Sequence, residues 1–237
     1  MDQIEEFVDE RQKAWCIHCG GWIVELESNL DHVPSKILLQ KPYPPNLPTV
    51  RVCKICNEAF SLDEEYLFSF LSSVLTGSTN PDRQSNPKAE RALGRNAELR
   101  ARIDGSKTQY ETIGSETRII WVPEQERINR VVIKNARGHA FFEFGEPMLS
   151  EPEHVWAAPL ETLSSEQRSE FENIDMGSGW PEIGSRMMTR VITGQDLSGV
   201  WVIVQDGVYR YAVAQQGGML VRSVLSEYLA TEVYWSD

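Results

Sequence analysis

Residues 16–19, CIHC, and residues 50–57, VRVCKICN, decide how this chain is read. Each stretch holds a CxxC pair, and Cys16, Cys19, Cys53 and Cys56 are the 4 cysteines of the sequence. Two thiolates on one tight knuckle reach the same metal, and two knuckles complete the tetrahedron that Zn²⁺ prefers. The alternative, four unrelated buried cysteines, leaves unexplained why none falls outside the pattern. The spacing therefore predicts one structural zinc. His18, inside the first knuckle, reads as a solvent-facing side chain, with metal ligation as the alternative. The 33 residues between Cys19 and Cys53 exceed what a simple ribbon finger needs and leave room for an inserted hairpin.

Outward from the knuckles, residues 1–14 read as a short polar helix or arm. CIHCGGWIVELES reads as a knuckle leading into a strand, and Pro42, Pro44, Pro45 and Pro48 make the following stretch a rigid loop. Ser61 with Glu64 fits a capping box, and Leu62, Tyr66, Leu67, Phe70, Leu71, Val74 and Leu75 recur at helical spacing, so a helix is expected from Ser61 to about Gly77. GSTNPDRQSNP, 77–87, has linker composition. A charged helix is expected from Lys88 to Arg102, a strand over 117–122, and a helix through EQERINRVVIKNARGHAFFEF, with Ile128, Val131, Val132 and Ala136 on one side. From Met188 the chain favours strands, with a hairpin turn at Gln205-Asp206-Gly207.

Between the knuckles stand Asp31-His32 and Asn46, and Asn57 follows the last cysteine. With CIHC, DHVPSK, PPNLPTVRVCKICN and the helix after them, residues 14–70 resemble the HNH endonuclease family in its zinc-stapled ββα-metal, treble-clef form. The pattern is spelled His32, Asn46, Asn57, an H-N-N variant. The resemblance implies phosphodiester hydrolysis in DNA. Asp31 and Asn57 would offer oxygen ligands to one Mg²⁺ or Mn²⁺, which stabilises the charge of the transition state. His32 would be the general base, since an imidazole with an ordinary pKa near 6.5 accepts a proton at neutral pH. Asn46 would hold the loop that orients the imidazole. The rival reading is a catalytically inactive zinc module that binds a protein or nucleic-acid partner.

The expected architecture is thus α+β: an HNH-like ββα-metal zinc module over 1–76, a linker and basic charged helix over 77–114, and an α+β accessory domain over 115–237. Formal net charge is −12, against binding nucleic acid by overall electrostatics. The charge is uneven, however. Residues 1–80 carry 6 Lys and Arg against 12 Asp and Glu, residues 81–140 carry 12 against 8, and residues 141–237 carry 5 against 15. Arg91, Arg95, Arg100, Arg102, Arg127, Arg130, Lys134 and Arg137 are the candidates for phosphate contact, or else a set of solvated helix faces. The acidic C-terminal half fits a protein partner or a homodimer contact better than DNA.

No apolar run is long enough to cross a membrane, and MDQIEEFVDE lacks the basic start of a secretory leader, so a cytoplasmic protein is expected. His139 and Glu143 stand four apart without the second histidine of a zincin motif, and His139 reads as a core or helix-end histidine. Gly138 reads as a close helix contact or a kink. Trp156, Trp180, Trp201 and Trp235 read as core.

Overall fold

Val50 and Val52 alternate with Thr49 and Arg51, the period-2 pattern of a strand with one covered face. They lie in β2 (Thr49–Cys53), which pairs antiparallel with β1 (Ser28–His32), Ser28 facing Cys53 and His32 facing Thr49. The computed structural model describes residues 1–4, 13–111, 117–174, 180–215 and 217–236, so most of the expected N-terminal arm lies outside the described residues.

The helix expected from Ser61 begins at Lys54 instead: α1 spans Lys54–Thr76. The knuckle itself starts it. Cys56 N–H donates to Cys53 Sγ at 3.4 Å, so sulfur fills the acceptor role a serine or aspartate usually takes at a helix N-terminus. Gly77, at φ +65°, ends it as expected.

The chain forms two compact units, residues 1–60 with 132–237, and residues 61–131. These cut across the expected segments 1–76, 77–114 and 115–237, because α1 and α4 (Gln125–Phe144) each contribute to both units.

In the 61–131 unit the expected linker is tied down. Gln84 Nε2 donates to Ser78 O (2.6 Å), and its Oε1 accepts from Ser72 Oγ (2.8 Å). The single charged helix divides into α2 (Pro87–Arg95) and α3 (Ala97–Asp104), because Asn96 caps the second, accepting from Leu99 N at 2.9 Å. β3 (Lys107–Glu111), which the sequence reading left out, pairs antiparallel with β4 (Thr117–Trp121). Buried Asp63 accepts from Arg127 Nε through Oδ1 (2.6 Å), and Arg130 Nη1 pairs ionically with its Oδ2 at 3.0 Å.

In the other unit, β5 (His154–Pro159) and α5 (Ser165–Glu172) precede α6 (Arg186–Thr193). α6 replaces the strand expected from Met188: Ser185 Oγ accepts from Met188 N at 3.1 Å, and Gly194 closes the helix at φ +74°. Five strands follow: β6 (Leu197–Ser198), β7 (Trp201–Gln205), β8 (Tyr209–Gln215), β9 (Gly218–Leu225) and β10 (Leu229–Ser236). With β5 they make an antiparallel sheet in the order β5-β10-β9-β8-β7-β6, which includes the expected β7–β8 hairpin. β9 is buried at every position because both faces are covered. Leu160, Phe171 and Trp201 pack on one side with Leu220 and Val224. On the other, His139 and Glu143 of α4 meet Tyr209 and Tyr211. Trp201 and Trp235 are core as expected, whereas Trp180 is 72% exposed.

That second face carries a buried polar network. Arg190 Nε lies 3.0 Å from both Glu143 oxygens, Tyr211 donates to the same carboxylate, and Arg190 Nη1 lies 2.8 Å from Asp196. His139 is fully buried, stacked at 3.7 Å on Tyr211, with Nε2 at 3.0 Å from the Tyr209 hydroxyl. Burial, reinforced by Arg190, pushes its pKa down to about 3, so it is neutral. Among the described residues no helix is long and apolar enough to cross a membrane.

Candidate functional site

The first knuckle closes by short backbone bonds, Cys16 N to Gly21 O and Gly20 N to Cys16 O, both 2.8 Å, with Gly20 at φ +68°. Gly21 is closely packed: a Cβ there would lie 2.9 Å from Leu26 Cδ1 and 3.3 Å from Cys19 Sγ. Trp15 and Trp22, which flank the knuckle in sequence, form an antiparallel bridge and an edge-to-face pair at 4.5 Å. The second knuckle runs from the end of β2 into α1.

The two knuckles bring all four Sγ atoms within 4.8 Å of one another, and Cys19 and Cys53 sulfurs stand 3.8 Å apart. Four thiolates at about 2.3 Å from one zinc lie about 3.8 Å from each other, so the cluster can hold that ion. The thiols also need a cation. Burial and the neighbouring sulfurs push Cys56 far up; at Cys16 burial acts the same way, but backbone N–H groups of Cys53, His18 and Cys19 outweigh it and lower the pKa. Sulfurs packed this closely cannot all ionise without a shared positive charge.

His18 is not the solvent-facing side chain expected. Its ring packs at 4.9 Å on Phe60, and neither nitrogen has a hydrogen-bond partner among the described residues. Burial, with Lys134 and Arg137 nearby, lowers its pKa to about 3. It lies outside the four-sulfur group.

The β1–β2 register sorts the remaining residues. Asn29 and Asp31 stand opposite Val52 and Val50, both buried, so they share the covered face. Leu30 and His32 take the alternate positions, with exposed Arg51 and Thr49 as partners. Asn57, in the first turn of α1, donates through Nδ2 to Asn29 Oδ1 at 3.0 Å. The partner of Asp31 comes from elsewhere: Lys134 Nζ of α4 sits 2.8 Å from Asp31 Oδ2. Lys134 also donates to Ser35 Oγ at 2.8 Å and lies 5.7 Å over the Phe60 ring. His32 is half-buried; burial first, then Lys36 and Lys134, lower its pKa, with Asp31 opposing. The imidazole is neutral at pH 7 and able to accept a proton.

Asn46 sits exposed in the loop at φ +57°, and its Nδ2 donates to Met1 O at 3.4 Å. The loop is fixed beside His32 by Val33 N donating to Pro48 O at 2.9 Å.

The cationic candidates divide by burial. Arg91, Arg95, Arg100 and Arg102 are exposed. Arg127 and Arg130 pair with Asp63, and Arg127 also lies 4.7 Å over Tyr66. Arg137 is buried, donating to His18 O at 3.3 Å and to Ser150 O at 3.0 Å. Lys134 is 3% exposed and faces the hairpin. Ser35 and Asn135, which no sequence motif singles out, also stand beside it: Ser35 N donates to Asn135 Oδ1 at 3.0 Å.

No family model, curated protein or solved structure matches the chain.

Proposed function

We propose that this chain is a zinc-stapled nuclease of the HNH kind that hydrolyses phosphodiester bonds in DNA, with His32 as general base. The observation that carries the reading is one arrangement: a four-sulfur cluster frames a hairpin whose first strand ends in Asp31-His32, and the helix entered from the second knuckle carries Asn57 in its first turn. Water attacks phosphorus as the bond to the 3′ oxygen breaks. The proton released by the water passes to the neutral ring of His32, and the 3′ alkoxide takes its proton from solvent.

The sulfur cluster suits Zn²⁺ in donor type and spacing, and bound zinc would staple both knuckles. A hard divalent ion at Asp31 and Asn57 fits less well. One Asp31 oxygen is held by the Lys134 ammonium, while Asn57 donates to Asn29 through Nδ2 and keeps its Oδ1 as an oxygen donor, so the misfit lies at Asp31.

The test is cleavage of plasmid and linear DNA, with and without Mg²⁺ or Mn²⁺, by the wild type and by His32→Ala at equal zinc content. Activity is expected to fall by about 10²-fold or more without its base. An unchanged rate in His32→Ala would overturn the mechanism. The second reading, a zinc module that binds a protein partner, is favoured by the apolar side chains exposed near the knuckles, Trp15, Trp22, Val24 and Ile55.

A further inference from the structure

We infer that Lys134 is a positioning residue whose ammonium is the resident counter-ion of Asp31, so that a divalent ion reaches this carboxylate only in competition with it. The inference takes its site from the nuclease reading, but it concerns which cation Asp31 holds and not whether DNA is cut.

Lys134 is not a surface lysine that happens to point inward. Its side chain is 2% exposed and that of Asp31 12%, with 2.8 Å between charged atoms. A charge buried this far is retained only where it is paired and hydrogen-bonded. Lys134 has both: the Asp31 carboxylate, the Ser35 hydroxyl at 2.8 Å, and the face of Phe60. Ser35 is fixed in turn, its N–H donating to Asn135 Oδ1 from the next position of α4.

The helix cannot easily carry the lysine away. Gly138 lies against Val33, the residue after His32, so closely that an added Cβ would come 2.6 Å from Val33 Cγ2. Arg137 adds a bond to His18 O. The ammonium is thus held in place by the fold.

The charge count at the covered face follows. Among the described residues it carries the Asp31 carboxylate, the Lys134 ammonium, and the amides of Asn29 and Asn57, bonded to each other. Hard divalent ions give up water mainly for carboxylates. Here Asp31 already faces the Lys134 ammonium at 2.8 Å, and an ion beside it would lie within a few ångströms of a like charge. Lys134 also contributes, with burial and Lys36, to keeping His32 unprotonated. One lysine thereby supports both neighbours of the Asp31-His32 pair.

The experiment is a Mn²⁺ titration followed by electron paramagnetic resonance on the zinc-loaded full chain. It compares wild type, Asp31→Asn, Lys134→Met, which keeps the stem and removes the charge, and the double variant. The wild type is expected to hold no Mn²⁺ that depends on Asp31. Lys134→Met should bind at least about tenfold more tightly, and the double variant should lose the gain. A wild-type Mn²⁺ site lost in Asp31→Asn and no tighter in Lys134→Met would overturn the inference. If Lys134→Met does not fold, wild type against Asp31→Asn decides alone: an Asp31-dependent site overturns the inference, and its absence supports it. DNA cleavage by His32→Ala is read separately, so the nuclease reading can fail while the counter-ion assignment stands.

Discussion

His139 makes the strongest single-residue statement about stability. Its pKa is about 3 in the fold, against about 6.5 for an unfolded chain. Below pH 6.5 the unfolded chain takes up a proton that the fold refuses, so the contribution of neutral His139 is complete above about 6.5 and lost as pH falls toward 3. The loss runs at up to about 1.4 kcal/mol per pH unit in that window. Thermal melts between pH 7 and 5 are expected to show a falling Tm, and His139→Phe should lessen the slope, His18 supplying a similar dependence. An identical slope in the variant would show that His139 is not the group responsible. The cysteines and this histidine were legible in the sequence, because thiol spacing and the missing zincin partner are local signals. The inward turn of His18 was not, since it depends on Phe60 and on helix α4, far along the chain.

At the level of elements, α4 does two jobs along its length. Its first half belongs to the 61–131 unit; its second half brings Lys134, Asn135, Arg137 and Gly138 to the hairpin and knuckle, and His139 and Glu143 to the sheet. Gly138→Ala should therefore destabilise by about 1–3 kcal/mol, because Val33 has to move for the methyl group. Urea unfolding checks this, and a variant as stable as wild type would mean the hairpin yields without cost. The sequence held a usable hint: Lys134 and Asn135 follow Val131 by three and four positions, inside the apolar stripe, where a charge needs a partner. Which partner was not legible, since Asp31 is distant in sequence. Elsewhere, Ser185 and Gly194 signalled the ends of α6, but the β-branched Val191 and Ile192 suggested a strand. β3, KTQYE, has no clean alternation, and what makes it a strand is its pairing with β4.

For the molecule as a whole, charge sets the terms of any contact with DNA. With a formal net charge of −12, attraction has to come from a local patch, and among the expected cations Arg91 and Arg95 remain on the surface while Lys134 and Arg137 are buried. If these two arginines each contact a phosphate, the Arg91→Ala/Arg95→Ala variant should lower the slope of log affinity against log salt by about 2. Fluorescence anisotropy across a salt series measures this, and an unchanged slope would remove that face from the interface. The α+β class was readable from the succession of helical and strand-like runs. The two-unit division was not, because it depends on which halves of α1 and α4 pack together.

That division also sets an order of events during synthesis. The unit that holds the cysteines is built from 1–60 and from 132 onward, so Asp31 leaves the ribosome about a hundred residues ahead of Lys134. At roughly 5–20 residues per second the carboxylate waits on the order of 5 to 20 seconds for its partner. Cys16 and Cys19 are made before that interval and Cys53 and Cys56 within it, whereas 61–131 is contiguous and can assemble as it emerges. The unit that carries the four-cysteine cluster is therefore the part begun first and completed last.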